Sequence, residues 1–280
     1  MRNENQLTLE QKWEQATLAN NFIFYKVMRN HQGACKHLLE MLLGIRIESM
    51  EMRSEETIAL DYDSKGIRLD VFVKDSDRMF DVELQVANTK ELPERARYYQ
   101  GVMDIDTLKA GQKYRELRDS HVIFICLEDV FNNGLPVNTF ENICLEDGKI
   151  KLCDRSWKHF FFAPLCAKMI EDEEVKAFFE FLISNQATSS YTDELKVYVA
   201  DAKQSTETKM QFMTWERQRA YDYDDGKEAG IAIGAQQKAE EVAFSLYVNG
   251  VSIELIAKSL NMTVEQVKEI VSEKAQVPLR

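Results

Sequence analysis

Apolar positions change their period several times along this chain, and each change marks an element. In "CKHLLEMLLGIRI" (residues 35–47), Leu38, Leu39, Leu42 and Leu43 recur at helical spacing, and Gly44 follows as a C-cap. "ETIALDYD" (residues 56–63) reads as a strand. The stretch "GIRLDVFVKDSDRMFDVELQVAN" (residues 66–88) then alternates: Val71 and Val73 with Asp70 and Phe72, and Val82, Leu84 and Val86 with Asp81, Glu83 and Gln85. A period of two predicts a hairpin with one apolar face. Pro93 opens a helix at a position where its missing N–H costs nothing, and Gly111 is expected to close it. "SHVIFICLE" (residues 120–128) is a β-branched and aromatic run suited to a strand covered on both faces. Helix, three strands, helix, strand is an order that predicts a mixed α/β fold, a sheet flanked by helices.

Shorter elements fill residues 129–183 and end in the helix "EDEEVKAFFEFLIS", whose acidic first turn suits the positive end of its dipole. After "NQATSSYTD" the pattern turns polar and helical, with no strand. A domain boundary is therefore placed near residue 190, between an α/β domain (residues 1–190) and a helical C-terminal region (residues 191–280). There Gly226, Gly230 and Gly234 recur on one side of a helix. "NGVSIELIAKSLNMTVEQVKEIV" reads as two short helices in a helix-turn-helix-like hairpin, the second opened by Thr263 and Gln266 as a capping box. That second helix carries Glu265, Lys268, Glu269, Glu273 and Lys274, a poor face for phosphates. Packing, or a homo-oligomer formed through the C-terminal helices, is the expected use.

Composition narrows the partners. Among 280 residues, 45% are hydrophobic, enough for a sizeable core, and the formal net charge is −12. Such a chain is no general polyanion binder, so contact with nucleic acid requires a local basic patch or a metal ion. Residues 87–118 supply a modest patch, with seven basic and five acidic side chains. Five cysteines without a CxxC pair fit reduced thiols, and neither the polar N-terminus nor the short run "HFFFAPLCAKMI" suits a signal or a membrane span. A cytoplasmic protein without membrane contact is expected. His31, Cys35 and His37 have poor spacing for zinc, because His37 leaves the helical face shared by the other two.

The hairpin raises the main chemical question. If Ser76 and Asp77 form its turn, Asp75 pairs with Arg78, Phe72 faces Asp81, Asp70 faces Glu83 and Arg68 faces Gln85. Directly opposed side chains have Cβ atoms about 4.5–5.5 Å apart. Two carboxylates at that spacing repel, and Mg²⁺, or alternatively Mn²⁺, would suit their hard oxygens. Charged residues on the wet face of a hairpin are also ordinary, so this pattern alone leaves a solvated face open.

The surrounding sequence adds to this reading. "KGIRLDV", "VELQ", "LPERARYYQGVMD", "LKAGQKYREL" and "VIFIC", with "NNFIFYKVM" upstream and "NTFENICLEDG" downstream, together resemble the PD-(D/E)XK nuclease superfamily. More closely they resemble the bacterial recombination-promoting nuclease family, which also carries the label transposase. The resemblance covers residues 18–150 and, more loosely, the helical tail. It implies a restriction-endonuclease-like αβββαβ core with a C-terminal all-helical extension, and a divalent-metal-dependent DNA endonuclease that hydrolyses phosphodiester bonds. It further implies Asp70 and Glu83 as catalytic metal ligands, with the Leu84 carbonyl as a further ligand for Mg²⁺ or Mn²⁺. Gln85 stands where most of the superfamily has Lys. It would orient a water by hydrogen bonding without supplying charge. Arg68, Arg95 and Arg97 are the candidate compensating cations, and Tyr99 and Gln100 lie on the helix that faces the site; these five form the candidate substrate-binding set. Asn20 and Asn21 depart from the acidic residue that relatives often carry on the first helix. Gln85 also feeds an alternative, a weak or inactive nuclease fold that binds DNA or a protein.

Overall fold

The computed structural model describes residues 7–52, 71–75, 77–87 and 89–275. The strand expected at residues 56–63, and with it Arg68 and Asp70, lies outside the described residues.

Three helices come first. Thr8 caps α1 (Leu9–Gln15) in a box with Gln11, and Asn20 caps α2 (Asn21–Asn30) by accepting from the backbone N–H groups of Phe22 and Ile23. The third, α3 (Gln32–Leu43), ends at Gly44, whose φ of 63° is the left-handed conformation that the leucine pattern anticipates. Strands β1 (Glu51–Met52), β2 (Val71–Lys74) and β3 (Arg78–Gln85) follow, then α4 (Leu92–Thr107) and β4 (Asp119–Cys126). β5 (Val137–Phe140) and β6 (Ser156–Phe162) complete a six-stranded mixed sheet of order β1-β2-β3-β4-β6-β5. β3, β4 and β6 run parallel, and β1, β2 and β5 pair antiparallel with their neighbours. Within the described hairpin the register is Val71 with Val82 and Phe72 with Asp81, and Asp75 N–H donates to the Arg78 carbonyl at 2.9 Å.

α4 crosses from β3 to β4 over one sheet face, where Leu92, Ala96 and Met103 pack on Phe72, Met79, Val122, Phe124 and Phe160. It ends four residues short of the expected Gly111. The Thr107 hydroxyl turns back to donate to the Met103 carbonyl at 2.9 Å, Leu108 is extended, and Gly111 (φ 89°) serves the turn after the helix. On the other face α2 packs against β2 and β3. There Phe161 of β6 also stacks on Phe179 of α6 (Glu173–Ser184), which follows α5 (Ala163–Met169).

The covering of both faces settles one alternative. Asp81 is fully buried and Glu83 is only 4% exposed. The polar side of β3 is thus no solvated face, because the βαβ crossover lays α4 over it.

Helices α7 (Ser190–Gln204), α8 (Thr206–Val248), α9 (Ile253–Leu260) and α10 (Val264–Ala275) follow. Contacts group the chain into residues 1–212 and 213–280. α7 packs on α2 and α6, the Tyr191 hydroxyl donates to the Ala34 carbonyl, and Phe212 is buried against Trp13 and Phe22. These contacts tie the chain beyond residue 190 to the sheet-bearing unit. In the second unit, Ala243, Ile256, Ala257 and Val267 make a small core, and Thr263 and Gln266 form the anticipated capping box. No helix among the described residues is long and apolar enough to cross a membrane.

Two polar features inside the first unit are open to measurement. Lys74 Nζ lies 2.9 Å from Asp106 Oδ2, with both side chains about one-tenth exposed. Removing one member of such a pair strands the other charge. Asp106→Ala is expected to cost about 3–5 kcal/mol of unfolding free energy, and the double change Lys74→Met with Asp106→Leu to recover most of it, both read by urea titration.

On the face away from α4, His121 stacks between Phe80 and Trp157 and its Nδ1 lies 3.1 Å from His159 Nε2; His159 Nδ1 meets the Thr139 hydroxyl. Burial pushes both rings down to about 4, helped by the Arg78 charge at His121 and by His121 at His159. The unfolded rings titrate near 6.5, so between those values the unfolded chain binds more protons. Stability is therefore expected to be full above pH 6.5 and to fall as pH drops toward 4. His121→Phe, which keeps the ring stack, should flatten that loss in urea midpoints taken at pH 7, 5 and 4.

Candidate active site

Strand alternation sends Met79, Asp81, Glu83 and Gln85 of β3 to the α4 side. The parallel register sets Glu83 beside Phe124 and Gln85 beside Cys126. Arg95, in the first turns of α4, reaches back over this row. Its guanidinium donates to Gln85 Oε1 at 2.8 Å, to Glu83 Oε2 at 3.1 Å and to the Tyr99 hydroxyl at 2.9 Å. It also lies over two aromatic rings, 5.3 Å from the Tyr99 centroid and 5.5 Å from that of Phe124. Arg95 and Tyr99 are one helical turn apart, which puts them on the same flank of α4. A planar fork of donors held by two carbonyl-type oxygens and two rings has little freedom left, and Lys has no such geometry.

Gln85 is engaged at both ends: its Oε1 accepts from Arg95, and its Nε2 donates to the Ala87 carbonyl. Burial, followed by the negative charge of Glu83, pushes the Tyr99 phenol up to about 12, so it remains protonated at neutral pH. The Cys126 thiol is also pushed up to about 12 by burial, with Asp129 adding to it, which removes it as a nucleophile.

The Leu84 carbonyl accepts from Asn21 Nδ2 at 2.9 Å. Asn20 and Asn21 thus divide two tasks: one caps α2, the other ties the start of α2 to β3. Arg97 sits on the other flank of α4, lining a separate cavity, and Gln100 is buried with its amide donating to the Ser120 carbonyl at 3.2 Å. Of the candidate residues, the structure brings together Glu83, Leu84, Gln85, Arg95 and Tyr99. It sets Arg97 and Gln100 apart from them, and Arg68 and Asp70 lie outside the described residues.

Three contributors went unassigned in the sequence. Asp81 reads there as one more polar position of a half-buried strand. The Asn21 amide bond to Leu84 crosses 63 positions and leaves no local signal. Phe124, the platform for Arg95, is one member of a strand whose whole run is apolar. The three side chains whose spacing argues against zinc have separate surroundings: His31 stacks on Tyr198, His37 pairs with Glu174 and Cys35 is buried. Among the described residues no group of three or more His, Cys, Asp or Glu is placed to hold a metal.

A strand-borne Glu-x-Gln, gripped by an arginine of the following crossover helix, is joined by a family comparison. A model described as PD-(D/E)XK nuclease family transposase matches residues 22–224. The chain belongs to that family. Comparison with curated proteins and with solved structures gives no match. Family membership and the mixed six-stranded sheet agree with each other.

The Arg95 clamp is directly testable. Arg95→Met keeps the aliphatic stem but removes the donors facing Glu83, Gln85 and Tyr99. An expected loss of about 1–3 kcal/mol in unfolding free energy should appear in urea titration at neutral pH, with less loss for Arg95→Lys.

Proposed function

We propose that the chain is a divalent-metal-dependent DNA endonuclease that hydrolyses phosphodiester bonds at the Glu83 end of β3. The observation that carries this reading is the Glu83 carboxylate itself, 4% exposed and held on one oxygen by Arg95. A nearly buried acid fixed between a strand and the first turns of a helix is positioned in a way that a surface acid is not.

The donors present fit a hard cation. Glu83 and the Leu84 carbonyl offer oxygen only, and the one nearby thiol, Cys126, is held protonated by burial. Asp70 is the proposed second carboxylate: it directly precedes Val71, the register partner of Val82. When bound there, Mg²⁺ or Mn²⁺ would lower the pKa of a water and offset charge on the scissile phosphate. Arg95 supplies the positive charge that Lys supplies in most of the superfamily. Gln85, with both ends of its amide engaged, positions that guanidinium. Tyr99 steadies it from the helix side, and Asn21 fixes the Leu84 carbonyl. A homo-oligomer through the C-terminal helices and a cytoplasmic setting belong to the same proposal.

A second reading has its own observation. Arg95 already compensates the charge of Glu83, which suits a fold that binds DNA without cutting it. Incubation of the full chain with plasmid and Mg²⁺ or Mn²⁺ separates the two. Nicking and linearisation are expected, reduced by at least about 100-fold in Glu83→Ala, and calorimetry should show the Mg²⁺ isotherm lost in the same variant. Binding of DNA with no cleavage and no metal isotherm would favour the second reading.

A further inference from the structure

The flank of α4 away from Glu83 borders an open cavity of about 700 Å³ within the sheet-bearing unit. Its base is aromatic. Phe131 meets Phe160 edge-on at 5.0 Å, Phe140 meets Phe160 edge-on at 5.8 Å, and Phe140 is 44% exposed. Its walls mix both signs of charge, with Arg97 and Lys158 facing Asp104, Asp154 and Glu141. The helical wall contains Gly101, where an added Cβ would meet nothing within 4 Å. A mid-helix glycine costs about 1 kcal/mol relative to alanine, and here it leaves the mouth of the cavity open. On the opposite wall, Cys153 and Arg155 both adopt left-handed backbone (φ 59° and 61°) on either side of Asp154, whose carboxylate accepts from Asn142 Nδ2 at 2.6 Å.

The lining chemistry selects among occupants. A bare phosphate would meet three carboxylates. A lysine or arginine side chain of a protein partner would meet Arg97 and Lys158. A nucleobase satisfies both sets: its flat face stacks on an aromatic ring, its edge carries donors and acceptors together, and it is neutral. The attached phosphate then falls to an exposed cation at the rim, and Arg97 is exposed. Arg95 and Arg97 lie two positions apart on α4, so the cavity and Glu83 are separated by about one helix diameter, roughly 10–12 Å.

We infer that this cavity is a nucleobase pocket that takes one unpaired base of the DNA strand, with Phe140 as the stacking surface and Arg97 at the phosphate. The inference rests on the nuclease reading for its substrate class and adds a preference for DNA with an unstacked base. Burial and the neighbouring Asp154 charge hold the Asp104 carboxyl above its ordinary value, while burial lowers Lys158, as expected for groups sharing a partly dry recess.

The test is binding without chemistry. The full chain in EDTA is titrated into two duplexes of equal length, one carrying a single unpaired 2-aminopurine and the other the same base paired. Expected are quenching of the unpaired fluorophore and affinity about tenfold above that for the paired duplex. Gly101→Leu, which fills open space with a better helix former, should abolish that preference while leaving the paired duplex unchanged, and Phe140→Ala should lose the quenching. Equal affinity for the two duplexes overturns the inference, as does an equal effect of Gly101→Leu on both. Displacement of neither duplex by an arginine-rich peptide supports the base pocket; a peptide that binds in a Gly101-dependent way, with no base preference, overturns it in favour of a protein partner. Because no step requires cleavage, these outcomes stand apart from the Glu83→Ala result.

Discussion

The arrangement depends on placing an acidic side chain where water hardly reaches and giving it a cationic partner there. Glu83 lies on a strand covered by α4, and a buried carboxylate is costly unless another group offsets its charge. Arg95 does so from the covering helix itself. The element that dehydrates the acid therefore also delivers the cation, and neither contribution is available without the other. Gln85 and Tyr99 hold the guanidinium in its plane, and the rings of Tyr99 and Phe124 accommodate it from the side.

The same helix organises everything on its side of the sheet. Leu92, Ala96 and Met103 fix its distance from β3, β4 and β6. One flank then presents Arg95 and Tyr99 to the Glu83 row, and the other presents Arg97, Gly101 and Asp104 to the cavity. Gln100 anchors the helix between these flanks through the Ser120 carbonyl. On the far face of the sheet the polar content is small and inward-looking: His121 and His159 bond to each other among rings. A charged pair also lies on that face, where Arg78 meets Asp75 Oδ2 at 2.6 Å and its cation acts on His121.

The C-terminal unit follows different physics. From residue 217 to residue 238 every side chain of α8 is exposed, and its local core forms only where α9 and α10 fold back on Ala243. Such a helix draws little stability from burial of its own surface, in contrast with α7, whose Leu195 and Val199 are buried in the first unit. The change in composition near residue 190 comes before the division of contacts at residue 212 for this reason: polar helices α7 and early α8 still cover the α1–α3 layer.

Much was legible in the chain because it is local. Alternation gave β3, the leucine spacing gave α3 and its glycine cap, and the two-residue turn gave a register in which Phe72 faces Asp81. Those patterns depend on neighbours a few positions apart, and a sequence displays them directly. Which way the carboxylate row faced was not legible, since alternation states that two sides differ and says nothing of what covers the polar one. Only the crossover path of α4 decided that Asp81 and Glu83 are buried and that Arg95 and not Arg97 meets Glu83, and only the packing of α2 on the opposite face brought Asn21 to Leu84. These are contacts between residues 10 to 63 positions apart, set by packing of whole elements, and no periodicity along the chain encodes them.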